Sequence, residues 1–310
     1  MILYYAMGSG LGHLTRMQAV LHTLAIRAPV TVITASPWHH DTRITGLAHV
    51  MHVPAVLLGD LPAYRHWLCG AVEQMCPEAI YLDAFPAGLW GEWCDMPLSE
   101  HIPVHHVARL LRWPVYCERL CGEPPSLAST YVLEPLTAAH ETFLRQQSLR
   151  LLPLELHDPP AVPSPALAPV LSWLSRHPRP LWLIIHAGST AEILELVAYA
   201  TETSRLEGVK PQLVLLAPHR PLSLPPSVIY GNLYPATPLL PLAERIITAC
   251  GFNVMRQTAG YREQHRFLPL PRHLDDQFLR AARHRHQPGT PQGVSRPCYR
   301  SKSAWSGTAG

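Results

Sequence analysis

Twice along this chain, short apolar runs alternate with stretches of helical periodicity, and a proline-laden segment separates the two series. In the first series, residues 2–6, 30–34, 79–83, 104–108 and 131–133 read as strands, with helices over 14–26 and 138–147. In the second, 181–186, 212–216, 228–230 and 245–249 read as strands. Ser189 with Glu192 three residues on forms a capping box, and Ile193, Val197 and Ala200 recur at helical spacing behind it. A last helix is expected over 274–285. Such alternation predicts parallel sheets, because parallel neighbours need a long crossover, usually a helix. The segment HDPPAVPSPALAP, residues 157–169, can neither donate fully to a ladder nor continue a helix, so it reads as a linker. The expected organisation is two α/β domains, 1–156 and 170–286, facing across a cleft. The tail 287–310 has no periodic apolar face and is expected to be disordered.

Composition narrows the partners. Lys+Arg 25 against Asp+Glu 22 leaves a net charge of +3, too balanced for nucleic-acid binding driven by counterion release. Hydrophobic residues at 47% allow a sizeable core. The seven cysteines include no CxxC pair, so neither a disulfide framework nor a zinc ribbon is indicated. Cys117 and Cys121, with His105 and His106 upstream, could assemble a metal site, but buried or idle thiols weigh more heavily, and no metal is expected. The start lacks the basic region of a signal peptide and no apolar run reaches a membrane span, so a soluble cytoplasmic protein is expected.

Three motifs carry chemistry. Gly8, Gly10 and Gly12 form a loop between a strand and a helix, followed at once by His13 and then Arg16. Glycines let the backbone turn tightly and approach a ligand, and a helix start favours an anion. The spacing is GxGxG rather than GxGxxG, and the second strand ends in Thr34-Ala35-Ser36 without a ribose-binding acid, which argues against a nicotinamide dehydrogenase. His13 suits a general base; a capping or packing histidine is the alternative. Asp83 ends a strand in LDAFPAGLWGEW, placed to orient His13, to hold an acceptor hydroxyl, or merely to cap a turn. Finally, AERIITACGFN and PLPRHLDDQ set two strand-to-helix turns side by side, one led by Gly251 and Asn253, the other carrying Asp276 and Gln277.

Together these motifs resemble a GT-B glycosyltransferase of the MurG and galactolipid-synthase type (glycosyltransferase family 28), over residues 1 to about 285. The resemblance implies two Rossmann-like domains, the first for the acceptor and the second for a nucleotide-sugar donor, with UDP favoured. It implies that His13 is the base of an inverting transfer. Gly188, Ser189 and Gly251 would face the donor phosphates, Leu233 the base, and Asp276 and Gln277 the sugar hydroxyls. The family's ribose-binding glutamate is Gln257 here, which trades a charge-assisted bond for a neutral one at a cost of about 1 kcal/mol. The tail does not read as the terminal helix that crosses back onto the first domain in that family. Two rivals stay open: a non-catalytic nucleotide-sugar-binding protein, and a nucleotide-sugar 2-epimerase on the same fold. The acceptor, a small molecule or a lipid, is not specified. Trp38, Trp67, Trp90, Trp93 and Trp113 could stack on it or fill the core. An arginine strip, Arg262, Arg266, Arg272, Arg280, Arg283 and Arg285, could contact a membrane surface, although a solvated face or phosphate contacts fit better.

Overall fold

The computed structural model describes residues 1–8, 10–161, 167, 168, 171, 172, 176 and 179–286. The tail 287–310 and, within the linker 157–169, residues 162–166 and 169 lie outside the described residues. The first sheet contains β1 (Ile2–Tyr5), β2 (Val30–Thr34), β3 (His49–His52), β4 (Ala79–Asp83), β5 (Val104–Ala108), β6 (Ser129–Val132) and β7 (Leu151–Pro153), ordered β3-β2-β1-β4-β5-β6-β7. The second contains β8 (Leu181–Ile185), β9 (Gln212–Leu216), β10 (Ile229–Gly231), β11 (Arg245–Ala249) and β12 (His265–Leu268), ordered β10-β9-β8-β11-β12. Every pairing between these strands is parallel.

Helices cover both faces of the first sheet, so successive side chains of its strands are buried on either side. Leu3 and Tyr5 pack with α3 (Leu61–Met75) through Tyr64, Leu68 and Val72. Tyr4 points the other way, into a cluster with Leu14, Met17 and Val20 of α1 (Gly12–Thr23). Short helices α2 (Thr42–Thr45) and α4 (Trp113–Cys117) and the longer α5 (Ala138–Gln147) complete this half. The second half has α6 (Thr190–Leu206), α7 (Phe252–Gln257) and α8 (Gln277–His286). On α6, Ile193, Val197 and Ala200 are buried against the sheet, and the Ser189–Glu192 capping box is formed.

Most boundaries fall within one or two residues of the periodicity, with β6 starting at Ser129 rather than 131, and two helix ends differ by more. Helix α1 ends before residue 26, where Ala25 turns to a positive φ of 51°. Helix α8 begins at Gln277 rather than near 274, because the residues before it are sewn to the first domain: Asp275 bridges Leu111 in antiparallel fashion, and Arg112 N–H donates to Leu274 O at 2.8 Å. The end of the chain's described part therefore does return to the first domain. Arg283 of α8 donates to the carbonyls of Pro135 and Leu136.

Candidate active-site cleft

In each sheet the strand order reverses beside the first strand of its half. Chain connections leave β1 toward β2 on one side and return to β4 on the other; β8 stands in the same relation to β9 and β11. Loops at the carboxyl ends of such a strand pair diverge and leave a crevice, the usual ligand site of open α/β sheets. His13 follows β1 and Asp83 ends β4; Ser189 follows β8 and Gly251 follows β11. The two crevices open into one cleft of about 960 Å³ between the domains.

At the first crevice, His13 sits in the opening turn of α1 with Nδ1 2.5 Å from Asp83 Oδ2. Arg16, one turn along the same helix, donates Nε–H to Asp83 Oδ1 and Nη2–H to Oδ2, each at 2.6 Å. Tyr4 O–H adds a bond to Oδ1 at 3.2 Å. The Asp83 side chain is fully buried, at 0% exposure, whereas His13 retains 13%. Burial opposes ionisation of Asp83, but the charge of Arg16 and the bonds from His13 and Arg16 outweigh it and hold the carboxyl well below its usual range. An ionised carboxylate can only accept, so Nδ1 carries the ring proton and Nε2 presents its lone pair. Burial also pushes the His13 imidazolium below its ordinary value; Asp83 opposes this, while Arg16 and Arg109 reinforce it. The ring is therefore neutral near pH 7.

The glycine loop makes this placement sterically possible. A Cβ on Gly8 would lie 2.4 Å from His13 Cδ2 and 2.5 Å from Nε2. Gly10 and Gly12 also line the cleft. Asp83 does not line it, so of its expected roles the geometry admits orienting His13 and not holding an acceptor hydroxyl.

At the second crevice, Gly188, Ser189, Leu233, Gly251, Asn253, Gln257 and Gln277 line the cleft. Several are engaged with protein. The Ser189 N–H donates to Glu192 Oε2 at 3.1 Å, and His186 Nε2–H and an Arg272 Nη–H reach the same oxygen at 3.0 and 2.9 Å. His186 and Arg272 hold the Glu192 carboxyl well below its usual range. A Cβ on Gly188 would collide with both His186 and Glu192, which accounts for that glycine. Asn253 Nδ2–H crosses the cleft to Gly12 O at 2.7 Å. Gln257 Nε2–H donates to Asp158 Oδ2 at 3.0 Å, at the foot of the linker. Gln277 Oε1 accepts from Cys250 N–H and Leu270 N–H, both at 3.1 Å, tying the two strand ends together.

Asp276 does not line the cleft. Its Oδ1 accepts Leu279 N–H at 2.9 Å and so caps α8, while the neighbouring Asp275 faces the cleft. Asp275 belongs to a buried charge network between the domains. Arg109 of the first domain and Arg280 of α8 both meet Asp275, and Arg280 also forks onto Glu134 at 2.7 and 2.8 Å. Burial opposes ionisation of Asp275, yet the two arginines lower its carboxyl to about 2. Arg280 is thus 2% exposed and not part of a solvated or membrane-facing strip. Arg109 escaped the motif reading altogether, while Arg16, Glu192 and Asp275 stood inside the motifs without a role at the site; of these Arg16 carried a signal, its place one helical turn after His13.

On the first-domain side of the cleft, Phe85, Leu89 and Trp90 form an apolar wall. Buried Glu92 holds it in place, accepting Leu89 N–H at 2.8 Å and Trp90 N–H at 2.6 Å. Trp38 also lines the cleft, Trp93 and Trp113 are core residues, and Trp67 packs half-buried on the core. His105 and His106 are committed to Ser129 Oγ and Leu82 O, and among the described residues no group of three or more His, Cys, Asp or Glu could hold a metal ion. Among these residues, no helix is long and apolar enough to cross a membrane.

No protein-family model matches the chain, and no curated protein matches it in sequence. Solved structures do match in shape. Glycosyltransferase SnogD from Streptomyces nogalater aligns over 87% of this chain and 81% of its own, with TM-score 0.52 and 15% identity. Arabidopsis thaliana UGT89C1, solved with quercetin, aligns over 91% and 81%, with TM-score 0.56 and 16% identity. A UGT from Siraitia grosvenorii in complex with UDP aligns over 91% and 82%, with TM-score 0.54 and 11% identity. At these identities the likeness establishes the fold: two Rossmann-like domains in the GT-B arrangement of glycosyltransferases.

Proposed function

We propose that this protein is a glycosyltransferase that moves a hexose-type sugar from a nucleoside-diphosphate donor, a UDP-sugar by preference, to an acceptor hydroxyl with inversion. In this reading residues 1–156 receive the acceptor and 170–286 the donor, as in the MurG and galactolipid-synthase type. The observation that carries it is the His13–Asp83 pair at 2.5 Å, with a neutral imidazole on the cleft. His13 Nε2 takes the acceptor proton as the acceptor oxygen bonds to the anomeric carbon. The bond from that carbon to the diphosphate oxygen breaks, and the nucleoside diphosphate leaves with the electron pair. Asp83 holds the tautomer and stabilises the imidazolium.

The departing charge is received by backbone N–H groups at Ser189, where α6 starts, and at the Gly251 turn. Glu192 competes with the diphosphate for the Ser189 N–H, so donor binding displaces that carboxylate and frees Arg272 and His186 to meet the phosphates. A second reading, a nucleotide-sugar-binding protein without turnover, draws on the engagement of Gln257 by Asp158 in place of a ribose-binding glutamate.

The first test is thermal stabilisation by a panel of nucleoside diphosphates and nucleotide sugars. A shift that grows with concentration, as mass action requires, is expected for UDP; no shift with any nucleotide removes both readings. Turnover separates them. His13→Ala is expected to abolish transfer while leaving the UDP shift intact.

A further inference from the structure

The acceptor half of the cleft holds a cation that, among the described residues, no carboxylate neutralises. Five arginines line the cleft, and four meet carboxylates: Arg16 with Asp83, Arg43 with Asp41, Arg109 with Asp275, and Arg272 with Glu192. Arg119 differs. Its Nη1–H donates to the Leu89 carbonyl at 3.1 Å, and among the described residues no carboxylate answers its charge. The Asp275 charge is further divided between Arg109 and Arg280, and Arg109 Nε–H is buried without a partner. The wall facing the acceptor is thus positive, with an unsatisfied donor behind it.

The same wall is apolar and rigid between these cations. The Phe85 ring lies 5.9 Å from the His13 ring, and the Arg109 guanidinium 5.8 Å from the Phe85 centroid. Leu89, whose carbonyl holds Arg119, is fixed with Trp90 by the Glu92 carboxylate. Gly88, at φ +84°, leaves room for that carboxylate, since a Cβ there would lie 2.3 Å from Glu92 Cδ. Aromatic side chains held in this way favour a flat ring, and a guanidinium favours a carboxylate through paired, charge-assisted hydrogen bonds.

We infer that the acceptor is an aromatic hydroxy acid: its ring lies on Phe85, Leu89 and Trp90, its hydroxyl meets His13, and its carboxylate meets Arg119. This inference rests on the sugar-transfer reading, because it gives the hydroxyl its role. The carboxylate completes the charge balance of the cleft, and Arg109 strengthens the attraction without contact. A neutral aromatic alcohol of the same shape would leave Arg119 facing an apolar ligand edge, a loss of hydration without return.

The test is calorimetric titration of 4-hydroxycinnamate and of the neutral 4-hydroxycinnamyl alcohol into the full chain, with UDP titrated separately. The expected result is that the acid binds about tenfold or more tightly than the alcohol, as one charge-assisted contact supplies. Arg119→Gln is expected to reduce that preference to within about threefold, Arg119→Lys to retain part of it, and both to bind UDP as the parent does. Equal affinities in the parent, a preference unchanged in Arg119→Gln, or no binding of the acid beside normal UDP binding overturns the inference and leaves the sugar-transfer reading standing. Acid preference lost in Arg119→Gln but no binding of UDP or any other nucleoside diphosphate supports the anion site and removes the transferase reading.

Discussion

Arg16 closes a fork on the carboxylate of Asp83, one N–H to each oxygen at 2.6 Å. The fork does two opposed things to His13. It keeps Asp83 ionised and aimed at Nδ1, and its own positive charge lowers the basicity of the ring. Removing it with Arg16→Met lifts the second effect, so the His13 pKa rises and the acid limb of the kcat profile moves to higher pH. The same change leaves Asp83 buried without its cation, with an expected loss of about 3 kcal/mol of stability. A pH–rate profile of the variant, with urea unfolding beside it, reads both. An acid limb that stays in place would separate Arg16 from the base.

Gly8 is a second lever on the same ring. A methyl group there would overlap His13 Cδ2 and Nε2, and the least costly relief is rotation of the ring away from Asp83. Gly8→Ala is expected to lower kcat by about two to three orders of magnitude, as loss of an oriented base does. Its donor affinity should stay near the parent value, because the proposed reading puts the donor against the other domain. Steady-state kinetics with a UDP thermal shift check this. Equal loss of kcat and donor binding would indicate a wider collapse of the loop.

The strand-forming runs were legible because parallel strands covered on both faces show as short uninterrupted apolar segments. Val30–Thr34, Ala79–Asp83, Val104–Ala108, Gln212–Leu216 and Arg245–Ala249 all fall where those segments lie. Strand His49–His52 escaped because it is an edge strand whose end residues are exposed. Helix Leu61–Met75 did carry a signal: Tyr64, Leu68, Ala71 and Val72 make a helical stripe behind the cap Asp60. The His13 loop was legible because glycines mark where backbone must pass close to something. What sequence could not reveal is pairing over long separations. The motifs offered Asp83 to His13 as one of three roles, but nothing local shows that Arg16 joins them, that Asp275 rather than Asp276 turns to the cleft, or that Gln257 is taken by Asp158. The first is set inside one domain, where α1 starts beside the end of β4; the other two follow from contacts between the domains and with the linker.

The inter-domain charge network supplies a third prediction. Arg280 contacts Glu134, Asp275 and the Cys250 carbonyl, and is almost wholly buried. Arg280→Met strips a cation from two partly buried carboxylates, leaving Arg109 alone to meet Asp275. An expected loss of about 3–5 kcal/mol follows, since breaking a buried pair costs more than the pair itself is worth. A lowered urea midpoint would show it. Arg145→Met, which removes an exposed ion pair with Glu141, is the control and should cost less than about 0.5 kcal/mol.

Stability should also fall early on acidification, and the sign follows from buried histidines. Burial lowers His106 to about 4, His140 to about 3 and His265 to about 4. An unfolded histidine takes its proton near pH ~6.5, so below that pH the unfolded chain binds more protons than the folded one. Stability from these groups is whole above about pH 6.5 and declines toward pH ~4, with a slope of at most about 4 kcal/mol per pH unit while all three contribute. Asp275, lowered to about 2, adds loss only further down, between its unfolded pKa near ~3.9 and that value. His140 offers the cleanest test. Its ring stacks on Trp113 at 4.2 Å and 9°, and neither of its buried nitrogens has a hydrogen-bond partner. A phenyl ring can keep the stack and gives up no polar contact, so His140→Phe is expected to hold its urea midpoint at pH ~7 and to shallow the decline between pH ~6.5 and ~4 by about a third. A variant whose acid decline matches the parent would place the proton uptake elsewhere.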